Sequence, residues 1–215
     1  MNVLVIGANG QIGKRLVHQL KESNHGPVAM VRKEEQVDQF KENGIDTVLG
    51  DLEDDFTHAF EDIDAVVFSA GSGGHTPKSQ TKVIDRDGAI KAIDEAEKAG
   101  RKRFIMVSAL KANRDSETWS EPMEHYYDAK AKADERLRNS DLDYTVLMPG
   151  RLTNEEGIGK VELKERIESI DNKTITRDDV ATVIVELLDA KQSYKKSLEL
   201  LQGSTPIKEA ISNLN

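Results

Sequence analysis

Asn2-Val3-Leu4-Val5-Ile6-Gly7-Ala8-Asn9-Gly10-Gln11-Ile12-Gly13 opens the chain, and its reading decides the fold. Asn2 to Ile6 is an apolar run with β-branched Val3, Val5 and Ile6, which predicts a strand. Lys14-Arg15-Leu16-Val17-His18-Gln19-Leu20 follows, and Ile12, Leu16, Val17 and Leu20 fall on one helical face. Strand, glycine turn and helix in this order are the context that a dinucleotide-binding fingerprint needs. Gly7 permits the tight turn. Gly10 puts no side chain between a diphosphate and the backbone. Gly13 lets the helix lie close to the strand. The diphosphate would rest on free N–H groups at the positive end of the helix. The plainer alternative is a tight strand-to-helix turn without a ligand.

The same alternation continues along the chain. Strands are expected at Pro27–Val31, Asp46–Gly50, Ile63–Ser69, Phe104–Val107, Tyr144–Met148 and, as the last, Ser197–Leu201. Helices are expected at Glu34–Asn43, at Val83–Ala99 with Gly100 as its stop, from Pro122 to about Asn139, within Thr174–Asp189, and from Pro206. His75 to Lys82 is polar and expected to be mobile. Strands alternating with helices predict an α/β fold with a doubly wound, mainly parallel sheet (a Rossmann fold) and a small C-terminal substrate-side region. Residues 1–215 suit a single domain.

Composition narrows the function. With no cysteine, disulfides and thiolate metal sites are excluded, and a reducing, cytoplasmic setting is expected. Apolar runs such as Ala65-Val66-Val67-Phe68-Ser69-Ala70 fall far short of the ~20 residues that span a bilayer. The N-terminus lacks a signal-peptide layout, because its apolar segment leads straight into the glycine turn. A net charge of −9 disfavours nucleic acid and anionic membranes as partners. The expected partner is a small-molecule substrate, with a homo-oligomer left open. His18, His25, His58, His75 and His125 are scattered without metal-ligand spacing and read as isolated surface residues; no metal is expected.

Two cations, Arg32 and Lys33, follow the second strand, where an acidic residue would bond the 2′-hydroxyl of NAD. Cations suit the 2′-phosphate of NADP. Lys33 could equally just open the next helix. Asp51, followed by Leu52, could accept a bond from an adenine amino group or cap the acidic stretch after it. Ala70-Gly71-Ser72-Gly73-Gly74 is a second glycine-rich loop, placed where the sheet order reverses and ligands bind. Tyr126 and Lys130 stand four apart on one helical face. An ammonium beside a phenol lowers its pKa and prepares it to exchange a proton near neutral pH. Ser108, at the end of the fifth strand, could bond the same substrate oxygen. An ordinary surface pair is the alternative for Tyr126 and Lys130.

Together these residues resemble the short-chain dehydrogenase/reductases, specifically the small atypical group with an extended-type glycine motif. The resemblance rests on Gly7-x-x-Gly10-x-x-Gly13, Arg32, Asp51-Leu52, Ser69-Ala70-Gly71, Val107-Ser108-Ala109, Tyr126-x-x-x-Lys130 and Pro149-Gly150. It implies an NADP(H) site built from Gly7, Asn9, Gly10, Gln11, Ile12, Gly13, Arg32, Lys33, Asp51, Leu52, Ala70, Gly71, Ser108, Lys130 and Pro149. It also implies Tyr126 as the general acid that protonates a carbonyl oxygen, Lys130 as its tuner and ribose holder, and Ser108 as the residue orienting the carbonyl. The family's fourth catalytic position is an asparagine, and its best match here is Asp85. That carboxylate could anchor a water or oppose the phenolate. Met148 stands where relatives often carry arginine. The implied function is an NADP(H)-dependent oxidoreductase acting on a small carbonyl or quinone-like acceptor. The alternatives are a non-catalytic NADP(H)-binding sensor or regulatory protein, and hydride transfer that needs no acid residue. Arg151 to Asn215 is too short for the larger substrate domain of enzymes that epimerise nucleotide sugars. Substrate would meet Ser72–Lys78, Leu110–Glu121 and the region after Arg151.

Overall fold

Strand β1 (Asn2–Ile6) is covered on both faces, and its alternation sorts the core into two layers. Val3 and Val5 pack with Leu16, Val17 and Leu20 of α1 (Gln11–Glu22) and with Val180, Ile184 and Leu187 of α6 (Arg177–Leu188). Leu4 and Ile6 pack on the other side with Ile93 of α4 (Ala89–Lys98) and Leu137 of α5 (Glu124–Arg138). A strand buried on both faces reads as a continuous apolar run, which is why β1 and β4 (Ala65–Phe68) show no polar alternation.

The computed structural model describes residues 1–73, 76–170 and 173–215. Its main sheet also holds β2 (Gly26–Val31), β3 (Asp46–Leu49), β5 (Arg103–Val107), β6 (Asp143–Pro149), β8 (Lys160–Lys164), β10 (Lys196–Gln202) and β11 (Thr205–Pro206). The order is β11-β8-β10-β6-β5-β4-β1-β2-β3. From β3 to β10 every pairing is parallel, while β8 runs antiparallel to β10 and β11. The order reverses between β1 and β4, the expected ligand crevice. The remaining helices are α2 (Glu34–Lys41), α3 (Lys78–Thr81) and α7 (Ile207–Ser212).

Three expectations need correction. The long helix begins at Lys78, after Pro77, instead of Val83; its first turns are polar, so hydrophobic periodicity missed them. Lys78 to Lys82 is therefore helical rather than a mobile loop, while Gly74 and His75 lie outside the described residues. Between α3 and α4 the chain adopts a wide π turn over Lys82–Gly88, with Asp85 buried at its centre. The region after β6 also holds β8, and β7 (Arg151–Thr153) pairs with β9 (Thr174–Thr176) in a second sheet. The helix expected within Thr174–Asp189 is α6, with Thr174 to Thr176 before it as strand; the Thr176 hydroxyl accepts a bond from Asp179 N–H and caps α6. β10 is not the last strand, since β11 follows it.

Candidate active site

The glycine turn has a geometry that tolerates little else. Gly7 has φ +88°, and Gly10 N–H donates to its carbonyl at 2.9 Å. A Cβ on Gly13 would stand 2.2 Å from that same carbonyl oxygen, so α1 can approach β1 this closely only with glycine there. A Cβ on Gly7 would meet Ala70 N at 2.5 Å, so the loops after β1 and β4 are in direct contact. Gly10 is the N-cap of α1; it supplies no capping side chain, and the first turn has no acidic residue. Gln11 and Ile12 thus begin a helix with no side chain capping its first amides, the arrangement an anionic diphosphate requires. Asn9 lies in the turn itself, exposed. These residues fit a dinucleotide.

Around this turn the other expected cofactor residues have distinct settings. Arg32 is exposed at the end of β2. Lys33 is the N-cap residue of α2, and the Gln36 side chain accepts bonds from the N–H groups of Arg32 and Lys33 at 3.1 and 3.3 Å. Asp51 accepts a bond from Glu53 N–H within a turn, and no helix begins there for it to cap. Leu52 is buried and packs against Gly88 at the end of the π turn. Pro149 is buried at the end of β6.

Asp85, Ser108 and Lys130 are buried side by side. Lys130 Nζ lies 3.1 Å from Asp85 Oδ1 and donates to the Val107 carbonyl at 3.3 Å. The second Asp85 oxygen accepts a 2.9 Å bond from Ser72 N–H, so the π turn also holds the glycine-rich loop after β4. Ser108 Oγ donates to Asp134 Oδ2 at 2.5 Å. Tyr126 is partly exposed, with the Lys130 ammonium 5.9 Å from its ring centroid. Its ring lies 5.5 Å from that of Tyr127, which lies 5.8 Å from that of Trp119 in the Leu110–Glu121 loop.

The electrostatics correct one expectation. Burial raises the Tyr126 pKa, and Asp85 and Asp134 raise it further; Lys130 alone opposes them. The phenol therefore keeps its proton. Burial also opposes the Lys130 charge, but Tyr126, Asp85 and Asp134 outweigh it and hold the ammonium above its ordinary pKa. Ser108 is not free for a substrate oxygen in this state, because its proton is committed to Asp134.

Sequence reading missed Asp134. Its signal was present: Tyr126, Lys130 and Asp134 recur every four residues along the edge of the buried Ala129, Ala133 and Leu137 stripe. The histidines differ from the expected surface set. His58 and His18 are exposed, with His58 Nε2 2.7 Å from the Leu49 carbonyl. His25 and His125 each bury an Nδ1 without a partner among the described residues. His75 lies outside the described residues. No group of three potential metal ligands occurs among the described residues, and no described helix is long and apolar enough to cross a membrane.

A family model for NAD(P)H-binding domains matches residues 7–191, from the first glycine to beyond α6. The chain belongs to the NAD(P)H-binding family. Within it, a Bacillus subtilis protein described as an uncharacterized sugar epimerase is 45% identical over 218 residues, covering 100% of both chains. A solved Bacillus halodurans protein, assigned to the NAD-dependent epimerases/dehydratases, is 50% identical and superposes with a TM-score of 0.96 over 100% of both chains. The solved oxidoreductase from Lactococcus lactis is 32% identical, with a TM-score of 0.88 over 100% of this chain and 96% of its own. These neighbours share the α/β Rossmann architecture, and the family is of the NAD(P)-binding oxidoreductase and epimerase-like kind.

Proposed function

We propose that the protein is an NADP(H)-dependent oxidoreductase that reduces a small carbonyl or quinone-like substrate. The observation that carries this reading is the buried Lys130 ammonium, fixed by Asp85 and the Val107 carbonyl and facing the Tyr126 ring beside the glycine turn. When bound, the dinucleotide supplies a hydride to the carbonyl carbon. Tyr126 gives its proton to the carbonyl oxygen, and Lys130 stabilises the phenolate left behind. A phenol that holds its proton is in the form that acts as the acid in a reduction. The aromatic series Trp119, Tyr127 and Tyr126 offers flat surfaces to a conjugated carbonyl such as a quinone. Exposed Arg32 is the group for a 2′-phosphate.

NADPH consumption against aldehydes, ketones and quinones tests this in the unmutated protein and in Tyr126→Phe. Turnover should fall by about 100-fold or more in the variant. Undiminished turnover would support transfer without an acid residue.

A second reading is a non-catalytic NADP(H)-binding protein. Asp85 favours it, because the carboxylate occupies Lys130 and strengthens the hold of Tyr126 on its proton. Tight NADPH binding with no turnover of any panel member would favour this reading.

A further inference from the structure

Asp134 sits one helical turn beyond Lys130, 1% exposed, with Ser108 as its hydrogen-bond donor. Its other oxygen, Oδ1, is buried with no partner among the described residues. A buried carboxyl with an idle oxygen calls for an explanation, and its location beside the proposed oxygen-orienting serine supplies one. The charged and titratable groups facing it are Lys130, Arg138 and Tyr126 from α5, with Ser108, just after β5, as its hydrogen-bonding neighbour. Asp85 of the π turn is linked to it through Lys130. Arg138 is itself bonded to Ser197 of β10.

A serine hydroxyl has one proton to give. While the Asp134 carboxylate takes that proton, Ser108 can offer a substrate only lone pairs. Once Asp134 takes up a proton from solvent, its carboxyl can donate to Ser108 Oγ, and the serine proton is released toward the substrate. We propose that Asp134 is a positioning residue whose protonation sets whether Ser108 donates to a carbonyl oxygen or accepts from a hydroxyl. This rests on the reading of Ser108 as the residue that orients the substrate oxygen. No covalent bond changes in the switch. Burial lifts Asp134 far enough above 3.8 to outweigh the Ser108 bond, Arg138 and Lys130, which pull it down, and the balance at about 6 puts the switch at the acid edge of neutrality.

The first test needs no turnover. In protein with carbon-13 carboxyl-labelled aspartate, the resonance absent from Asp134→Asn should titrate near pH 6. Ser108→Ala should move that titration upward, because the lost bond stabilised the carboxylate. A midpoint in the ordinary aspartate range, or one unmoved in Ser108→Ala, would overturn the proposal. The second test uses 9,10-phenanthrenequinone. Its kcat/KM should fall as pH rises through about 6 in the unmutated protein. In Asp134→Asn the profile should be flat there, since the amide can donate to Ser108 at every pH. The same inflection persisting in Asp134→Asn would also overturn it. If no carbonyl compound is turned over, the reductase reading fails, and the labelled titration still decides whether Asp134 and Ser108 are coupled.

Discussion

Lys130 Nζ and Asp85 Oδ1 lie 3.1 Å apart, with side chains only 4% and 1% exposed, and this pair joins the π turn to α5. Removing one member of a buried ion pair leaves the other charge uncompensated. Asp85→Asn should therefore lower stability by roughly 3 kcal/mol, read from denaturant unfolding. It should also lower the Tyr126 pKa, because Asp85 is one of the groups that raises it. Ultraviolet titration of Asp85→Asn, with Tyr126→Phe as the reference, measures this. A Tyr126 titration that stays put or rises would contradict the proposed coupling.

The two outer glycines and the middle one should respond differently to substitution. Gly13→Ala forces a Cβ to within 2.2 Å of the Gly7 oxygen and 2.7 Å of Ala8 Cα, so β1 and α1 cannot keep their spacing and the protein should be markedly destabilised. At Gly10 the nearest atom to an added Cβ is the Gly7 oxygen at 3.1 Å. Gly10→Val should fold, with an unchanged far-ultraviolet spectrum, yet lose dinucleotide binding by calorimetry. Binding retained in Gly10→Val would mean the diphosphate lies elsewhere.

Arg32 should select the cofactor. A charge-assisted bond contributes roughly 1.5–3 kcal/mol, so Arg32→Ala should weaken NADPH by about tenfold to a hundredfold and leave NADH unchanged. Equal affinities for the two in the unmutated protein would remove this role.

Glu199 of β10 is wholly buried and ties two distant loops together. It accepts bonds from Arg114 Nη2 at 2.5 Å and Ile167 N–H at 2.6 Å. Glu199→Ala should leave the largely buried Arg114 without its counter-charge, bonded only to the Ile167 carbonyl, at a loss on the order of 3 kcal/mol. Limited proteolysis should then cut the Leu110–Glu121 loop faster. An unchanged cutting rate would show that other contacts hold the loop.

The nucleotide half of the fold was legible because short-range rules agree there. A continuous apolar strand, a glycine turn and an amphipathic helix lead to the same parallel unit, and the reversal between β1 and β4 follows from it. Lys160-Val161-Glu162-Leu163-Lys164 was missed although it alternates at the strand period with Val161 and Leu163 inward, because it stands alone in an irregular stretch. β7 and β9 have three residues each, too few for any period to register. The site divides in the same way. Tyr126, Lys130 and Ser108 carry motif signals. Asp85 could be named from family resemblance, but the π turn that aims it at Lys130 leaves no mark in residue spacing. Asp134 is charged on a helix rich in charge, where exposure is the ordinary expectation; only the packing of α5 against β6 and the segment after β5 shows that it is buried.

Transfer of deuterium from NADPH labelled at nicotinamide C4 tests the account most directly. After incubation with the carbonyl and quinone panel, mass spectrometry should find the transferred deuterium on reduced carbonyl carbons, or lost to solvent through the exchangeable hydroxyl for quinones, with product formation collapsing in Tyr126→Phe. NADPH that binds to the unmutated protein but reduces no panel member, or product formation undiminished in Tyr126→Phe, would contradict Tyr126 as the acid of a reductase.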